Sequence, residues 1–224
     1  MIAVITAALA PGMAILSYFY LRDSLEPEPV SMVIRSFLFG MLLVIPVLVL
    51  QYVMQHEWQL QGGVMSDLFL SAVVEEFFKW MVLFFTAYLH IEFDEPYDGI
   101  VYAVAVSLGF ATVENFFYLI LNGMDVALWR ALLPVSGHAL FAVWMGYYLG
   151  RAKFLQKRKK QLLFLWLSVI LPMLLHAIYN AIFLSVQQWV LVIVPFMALL
   201  WWLGLKKVQQ AHDLSSKNVS SRAQ

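Results

Sequence analysis

No cysteine occurs in the 224 residues. That removes disulfide frameworks, thiol nucleophiles and cysteine-based zinc or iron–sulfur sites, and leaves the redox compartment open. Charge is scarce as well. Asp, Glu, Lys and Arg make up 12% of the chain, about half the share of an ordinary soluble domain. The 14 bases balance the 14 acids, so net charge is zero. Phosphate binding needs basic surface, so nucleic acid is excluded as a partner. What the chain has in excess is apolar residues, 62% of the total, against roughly 45–50% in soluble domains. A soluble core of this length has no room for so much apolar surface. A membrane span needs about 20 apolar residues, so the lipid bilayer is the expected surrounding.

Seven apolar segments of span length can be read: residues 2–21, 36–54, 67–89, 98–121, 131–150, 161–185 and 189–205. The expected fold is an all-α, polytopic membrane helix bundle with about seven transmembrane helices. It forms a single domain over residues 1–208. Residues 209–224 are polar and Ser-rich and read as a disordered cytoplasmic tail. The first segment lacks a positive n-region, and Ala8-Leu9-Ala10 comes too early for a cleavage site, so it reads as a retained span.

Lys and Arg set the orientation. With the N-terminus outside, twelve of the fourteen fall in inner segments, chiefly in the Arg151–Lys160 loop and after Leu205. Only Arg130 falls outside, and Lys79 lies within a span. The expectation is N-terminus out and C-terminus cytoplasmic. The loop His90–Tyr97 is the exception, being on the inner side without Lys or Arg.

Ionisable groups inside spans cost about 2.5–3.5 kcal/mol each on insertion scales. This chain places Glu75, Glu76 and Lys79 in the third span, Glu114 and Asn115 in the fourth, Ser136 and His138 in the fifth, and His176 and Asn180 in the sixth. They must face one another or a wet cavity. Glu75, Glu114, His138 and His176 each lie seven to nine residues from the same end of their antiparallel spans. At 1.5 Å per residue all four sit about 10–14 Å below one face, which the charge count makes extracytoplasmic. Four matching depths suggest one site.

Lys79, four residues from Glu75 and three from Glu76, can neutralise one carboxylate. His176 and Asn180 share a helix face and can hold an oxyanion by hydrogen bonds. Serine hydrolysis is disfavoured: no G-x-S-x-G is present, and Ser136 reads as a packing residue. Asp98 is without a partner Asp and reads as an N-cap, not as half of an aspartyl pair. No H-E-x-x-H occurs. A metal held by carboxylates and histidines is a further option, without a recognised ligand spacing. The reading that remains is a carboxylate base activating water, with no metal and no cofactor.

At these residues the sequence resembles the PrsW family of intramembrane proteases. The likeness runs through Ala10-Pro11-Gly12, Glu26-Pro27-Glu28-Pro29, Glu75-Glu76-x-x-Lys79, Phe93-Asp94-Glu95, Tyr97-Asp98-Gly99, Ser107-Leu108-Gly109-Phe110, Glu114-Asn115, His138-Ala139 and Leu175-His176. More distantly it resembles the CAAX prenyl endopeptidase superfamily, through Glu75-Glu76 with Lys79, Phe110-x-x-x-Glu114 and His176-x-x-x-Asn180. Lys79 comes one residue early and replaces Arg, and Glu114 stands where the wider group has His.

The resemblance implies Glu75 as base and His176 with Asn180 as oxyanion hole. Glu76, Glu114 and His138 complete the expected catalytic set, with Lys79, Asn115 and Glu95 in support. The activity it implies is the first, extracytoplasmic-side cut in a single-pass membrane anti-sigma factor, in envelope-stress signalling at the bacterial plasma membrane. A homo-oligomer is left open. The competing class is a transporter or proton channel, which also buries carboxylates and histidines. It would favour broken spans in matching halves, and no repeat is present.

Overall fold

The structure is a computed structural model that describes residues 1–23, 25–56 and 64–222. It is helical throughout, with no strand among the described residues. The helices are α1 Ile2–Leu21, α2 Val30–His56, α3 Val64–Leu83, α4 Asp98–Asn122, α5 Ala127–Arg130, α6 Ser136–Lys153, α7 Arg158–Ser185 and α8 Trp189–Arg222. A π turn, Phe84–Tyr88, continues α3, and a second, Ala131–Val135, joins α5 to α6. Six helical stretches are long and apolar enough to cross a membrane: α1, α2, α4, the run Met124–Lys153, α7 and α8. The seventh expected span is α3, a continuous helix whose apolar run is broken by Glu75, Glu76 and Lys79.

Helix α4 is the axis of the bundle. Every residue from Asp98 to Thr112 is buried, as expected of a helix that is apolar all round. It packs against α1, α2 and α6, while α3 lies between α2 and α7. Without a hydrophobic force between helices in lipid, close approach depends on small residues. A Cβ at Gly40 would overlap the Val106 carbonyl, and one at Gly109 would overlap that of Phe37. Gly99 and Gly146 meet in the same way between α4 and α6. The outer faces of α1, α2, α7 and α8 expose residues such as Ile2, Leu42, Trp166 and Leu191.

Two expectations need correcting. The tail from Gln209 is helical, because α8 continues to Arg222 and has something to pack on. Val208, Ala211 and Ser215 are buried, His212 stacks on Tyr97 at 4.0 Å, and Ser215 Oγ accepts the Tyr97 N–H at 3.0 Å. Residues 223–224 of that tail lie outside the described residues. Asp98 does not cap α4 forward. Its Oδ2 reaches back and accepts the N–H groups of Asp94 and Glu95, both at 2.7 Å. The base-free loop His90–Tyr97 takes its cation from α6: Lys153 Nζ donates to the carbonyls of Tyr88 at 2.6 Å and His90 at 3.0 Å.

Candidate active site

Four helices bring side chains to one point. Glu76 on α3 is fully buried. Its Oε1 accepts from Lys79 Nζ at 2.8 Å and faces His176 Nδ1, from α7, at 3.0 Å. A carboxylate only accepts, so Nδ1 of His176 carries the proton and Nε2 keeps the lone pair. Lys79, also fully buried, donates to His138 Nδ1 from α6 at 3.0 Å. It lies 3.6 Å from Glu75 and 4.2 Å from the centre of the Phe110 ring. His138 Nε2 then donates to Glu114 of α4 at 2.9 Å.

Around this centre the partners differ sharply between the adjacent glutamates. Glu75 turns toward α2 and accepts from Ser71 Oγ at 2.9 Å and Gln51 Nε2 at 3.3 Å. Glu114 is held from its other oxygen by Arg130 Nη2 at 3.0 Å, and Arg130 Nε donates to Asn115 Oδ1 at 3.1 Å. Arg130 also lies over the Tyr118 ring at 4.1 Å. The His138 and His176 rings meet edge to face at 5.1 Å, and Phe141 stacks on His176 at 5.0 Å. Ser107 Oγ donates to the His138 carbonyl at 2.9 Å, fixing α6 against α4.

A cavity of about 780 Å³ opens beside the cluster. Glu114, Arg130, His138, His176 and Asn180 give its polar wall, and Leu133, Phe141, Tyr179, Phe183 and Trp189 its apolar one. An apolar volume with a few convergent polar groups is the usual form of a substrate site. The π turn Ala131–Val135 at its rim contains Pro134, which cannot donate to an α-helical ladder, and such turns recur at functional sites.

Of the expected site residues, Glu76, Lys79, Glu114, His138 and His176 form one chain of contacts. Glu75 touches Lys79 but points elsewhere, and Asn115 joins through Arg130. Asn180 lines the cavity. Glu95 is not there. It precedes the N-terminus of α4, nineteen residues before Glu114, at the far end of the bundle. Sequence reasoning passed over Arg130, Gln51 and Ser71 as site residues. Arg130 was the one outer base, and that oddity was the available signal.

By type, Glu75, Glu76, His138 and His176 could serve a metal, since one donor atom of each lies within 4.8 Å of the others. The geometry does not fit one. Lys79 Nζ already sits at 2.8 Å from Glu76, 3.0 Å from His138 Nδ1 and 3.6 Å from Glu75. A metal at about 2.0–2.2 Å from these donors would have to share their midst with an ammonium.

A second acidic group lies at the opposite end, in the loops before α2 and α4. Burial pushes the carboxyls of Asp23, Glu28 and Glu95 up to about 6, about 7 and about 8.

Comparison with known proteins bears on all of this. The family model described as PrsW family intramembrane metalloprotease matches residues 28–203. Protease PrsW of Geobacillus kaustophilus (strain HTA426) is 51% identical over 94% of this chain and 93% of its own. Protease PrsW of Bacillus subtilis (strain 168) is 48% identical over 98% of this chain and 100% of its own. A more distant relative, Protease PrsW of Clostridioides difficile (strain 630), is 29% identical over 94% of this chain and 92% of its own. No solved structure matches. A chain covered nearly from end to end by such relatives, with six apolar helices around a buried Glu–Lys–His cluster, belongs to the PrsW protease family and is a multi-pass membrane peptide hydrolase.

Proposed function

We propose that this chain is a glutamate-dependent, metal-independent intramembrane endopeptidase. It makes the first, extracytoplasmic-side cut in a single-pass membrane anti-sigma factor and so starts release of the sigma factor in envelope stress. The observation that carries the chemistry is the Glu76–His176 contact at 3.0 Å, made behind the wall of the 780 Å³ cavity that His176 lines. Lys and Arg placement supports the orientation, with the cluster near the outer face, the N-terminus out and the C-terminus inside.

The geometry supports a division of labour that differs from the one the resemblance implies. Glu76 fixes the tautomer of His176 and leaves its Nε2 lone pair to take a proton from water. The hydroxide adds to the scissile carbonyl carbon. Glu76 stabilises the imidazolium that forms, and Nε2–H returns the proton to the leaving amide nitrogen as the C–N bond breaks. Asn180, one helical turn from His176, offers the carboxamide that stabilises the oxyanion. Lys79 keeps Glu76 ionised and in place. His138, with both ring nitrogens engaged, is a positioning residue between Lys79 and Glu114. Glu75 balances Lys79 from the side of α2.

The test is cleavage of a reconstituted single-pass anti-sigma factor by wild type, Glu75→Gln and Glu76→Gln, with and without chelator, well below the unfolding midpoint. The expected result is chelator-resistant cleavage that falls about 10²–10⁴-fold in Glu76→Gln and far less in Glu75→Gln. Cleavage abolished by chelator overturns the metal-free chemistry. The opposite ranking of the two variants returns the base to Glu75. Well-folded wild type that leaves the anti-sigma factor whole overturns the substrate.

A further inference from the structure

The carboxyls at the far end of α4 have no use in this chemistry. Asp98 and Glu114 are sixteen residues apart on one helix, about 24 Å along its axis. Asp23, Glu95 and Asp98 converge from three parts of the chain: the α1–α2 loop, the loop before α4, and the first residue of α4. One ligand oxygen of each lies within 4.8 Å of the others. All three residues are buried, Glu95 and Asp98 completely and Asp23 to 4% exposure.

A carboxyl so placed should be hydrogen-bonded or paired. Here both oxygens of Glu95, both of Asp23 and Oδ1 of Asp98 are buried without a hydrogen-bond partner among the described residues. Nor do these acids form an ion pair among the described residues. Lys153 and Arg22 are engaged elsewhere, Lys153 on the Tyr88 and His90 carbonyls and Arg22 on the Tyr18 hydroxyl at 2.6 Å. Glu28 flanks the group, its Oε2 taken by the Tyr102 hydroxyl. Three buried carboxyls, with one oxygen of each inside the span of one coordination shell and five oxygens unpartnered among the described residues, define a hole for a positive charge.

We propose that Asp23, Glu95 and Asp98 form a binding site for one divalent cation, separate from the catalytic cluster. The donors are all carboxylate oxygens, so the ion is a hard one, of the magnesium, manganese or calcium class. Ligand atoms held at 2.0–2.6 Å from a common ion are about 3–5 Å apart, and the three oxygens here lie within 4.8 Å of one another. Bound there, the ion ties the α1–α2 loop to the start of α4. Its role is structural and does not depend on the protease chemistry.

The experiment uses purified full-length protein, stripped with chelator and titrated with Mn²⁺ followed by electron paramagnetic resonance. Wild type and Glu76→Gln are expected to bind one Mn²⁺. Glu95→Gln and Asp23→Asn are expected to lose at least tenfold in affinity. Saturating Mn²⁺ should raise the unfolding midpoint of wild type by about 5 °C and that of the two loop variants not at all. Two variants on different segments are used so that the proposal stays testable if one of them folds poorly. Binding lost in Glu76→Gln but kept in Glu95→Gln and Asp23→Asn places the ion in the catalytic cluster and overturns the proposal. Failure of wild type to bind Mn²⁺, Mg²⁺ or Ca²⁺ overturns it as well.

Discussion

The two ends of α4 hold buried acids in opposite electrical circumstances. Toward its C-terminus, fully buried Glu76 and partly exposed Glu114 are matched by Lys79 and Arg130 and by two histidines, although one oxygen each of Glu75 and Glu76 has no hydrogen bond among the described residues. At its N-terminus, Asp23, Glu95 and Asp98 gather with no ion pair among the described residues. Glu76 is as deeply buried as Glu95 and Asp98, so desolvation alone does not distinguish the sites. What distinguishes them is whether the compensating charge is part of the chain. A built-in ammonium fixes the charge pattern permanently, as a reaction centre requires. A site that leaves the charge out is completed from solution.

That contrast predicts opposite responses to removing a charge. The largest effect belongs to Lys79→Met. Breaking a buried pair from one side leaves uncompensated charge and costs about 3–5 kcal/mol, so denaturant or thermal unfolding in detergent should show a large loss. Unchanged stability would mean that Glu75 and Glu76 do not rely on this ammonium.

Next comes Arg130→Ala. Arg130 touches Glu114 and through it positions His138, and small misplacements of reacting groups can cost about 10²-fold. A fall in kcat of about 10–100-fold is expected, with partial recovery in Arg130→Lys and a smaller loss of stability than in Lys79→Met, because Glu114 is partly exposed. A change in KM alone would make Arg130 a substrate contact instead.

The smallest effect is expected from Asp23→Asn. In chelator, removing an unpaired buried carboxylate should leave the unfolding midpoint unchanged or raise it by a degree or two, within about 1 kcal/mol. In saturating Mn²⁺ the order reverses and wild type becomes the more stable. A lower midpoint for the variant in both conditions would mean that Asp23 has a protein partner after all.

Much of this was legible in the chain. Spans announce themselves because the cost of leaving apolar or polar groups in the wrong solvent is local and additive along the sequence. The matching depths of Glu75, Glu114, His138 and His176 brought the right helices to one level for the same reason. Yet depth does not fix azimuth. Glu75 and Glu76 are adjacent, and about 100° of helix rotation sends one to Gln51 on α2 and the other to His176 on α7. Which of them faces the chemistry depends on how α3 packs between its neighbours. The tail shows the same limit. Residues after Gln209 are polar enough to read as disordered, but Ala211 and Ser215 find the Tyr97 loop, more than a hundred residues away.

By itself, then, the sequence determined a helical, multi-pass membrane protein, a set of buried ionisable residues and the family to which their spacing belongs. Those properties follow from transfer energies and from the 3.6-residue period, both readable one segment at a time. Only the tertiary structure decided that Glu76 rather than Glu75 meets His176, that Arg130 steadies Glu114, and that Glu95 belongs with Asp23 and Asp98 at the other end of α4. Each of those depends on which faces of distant helices meet, and in a membrane that is set by close glycine contacts and charge pairing between segments, which no single segment contains.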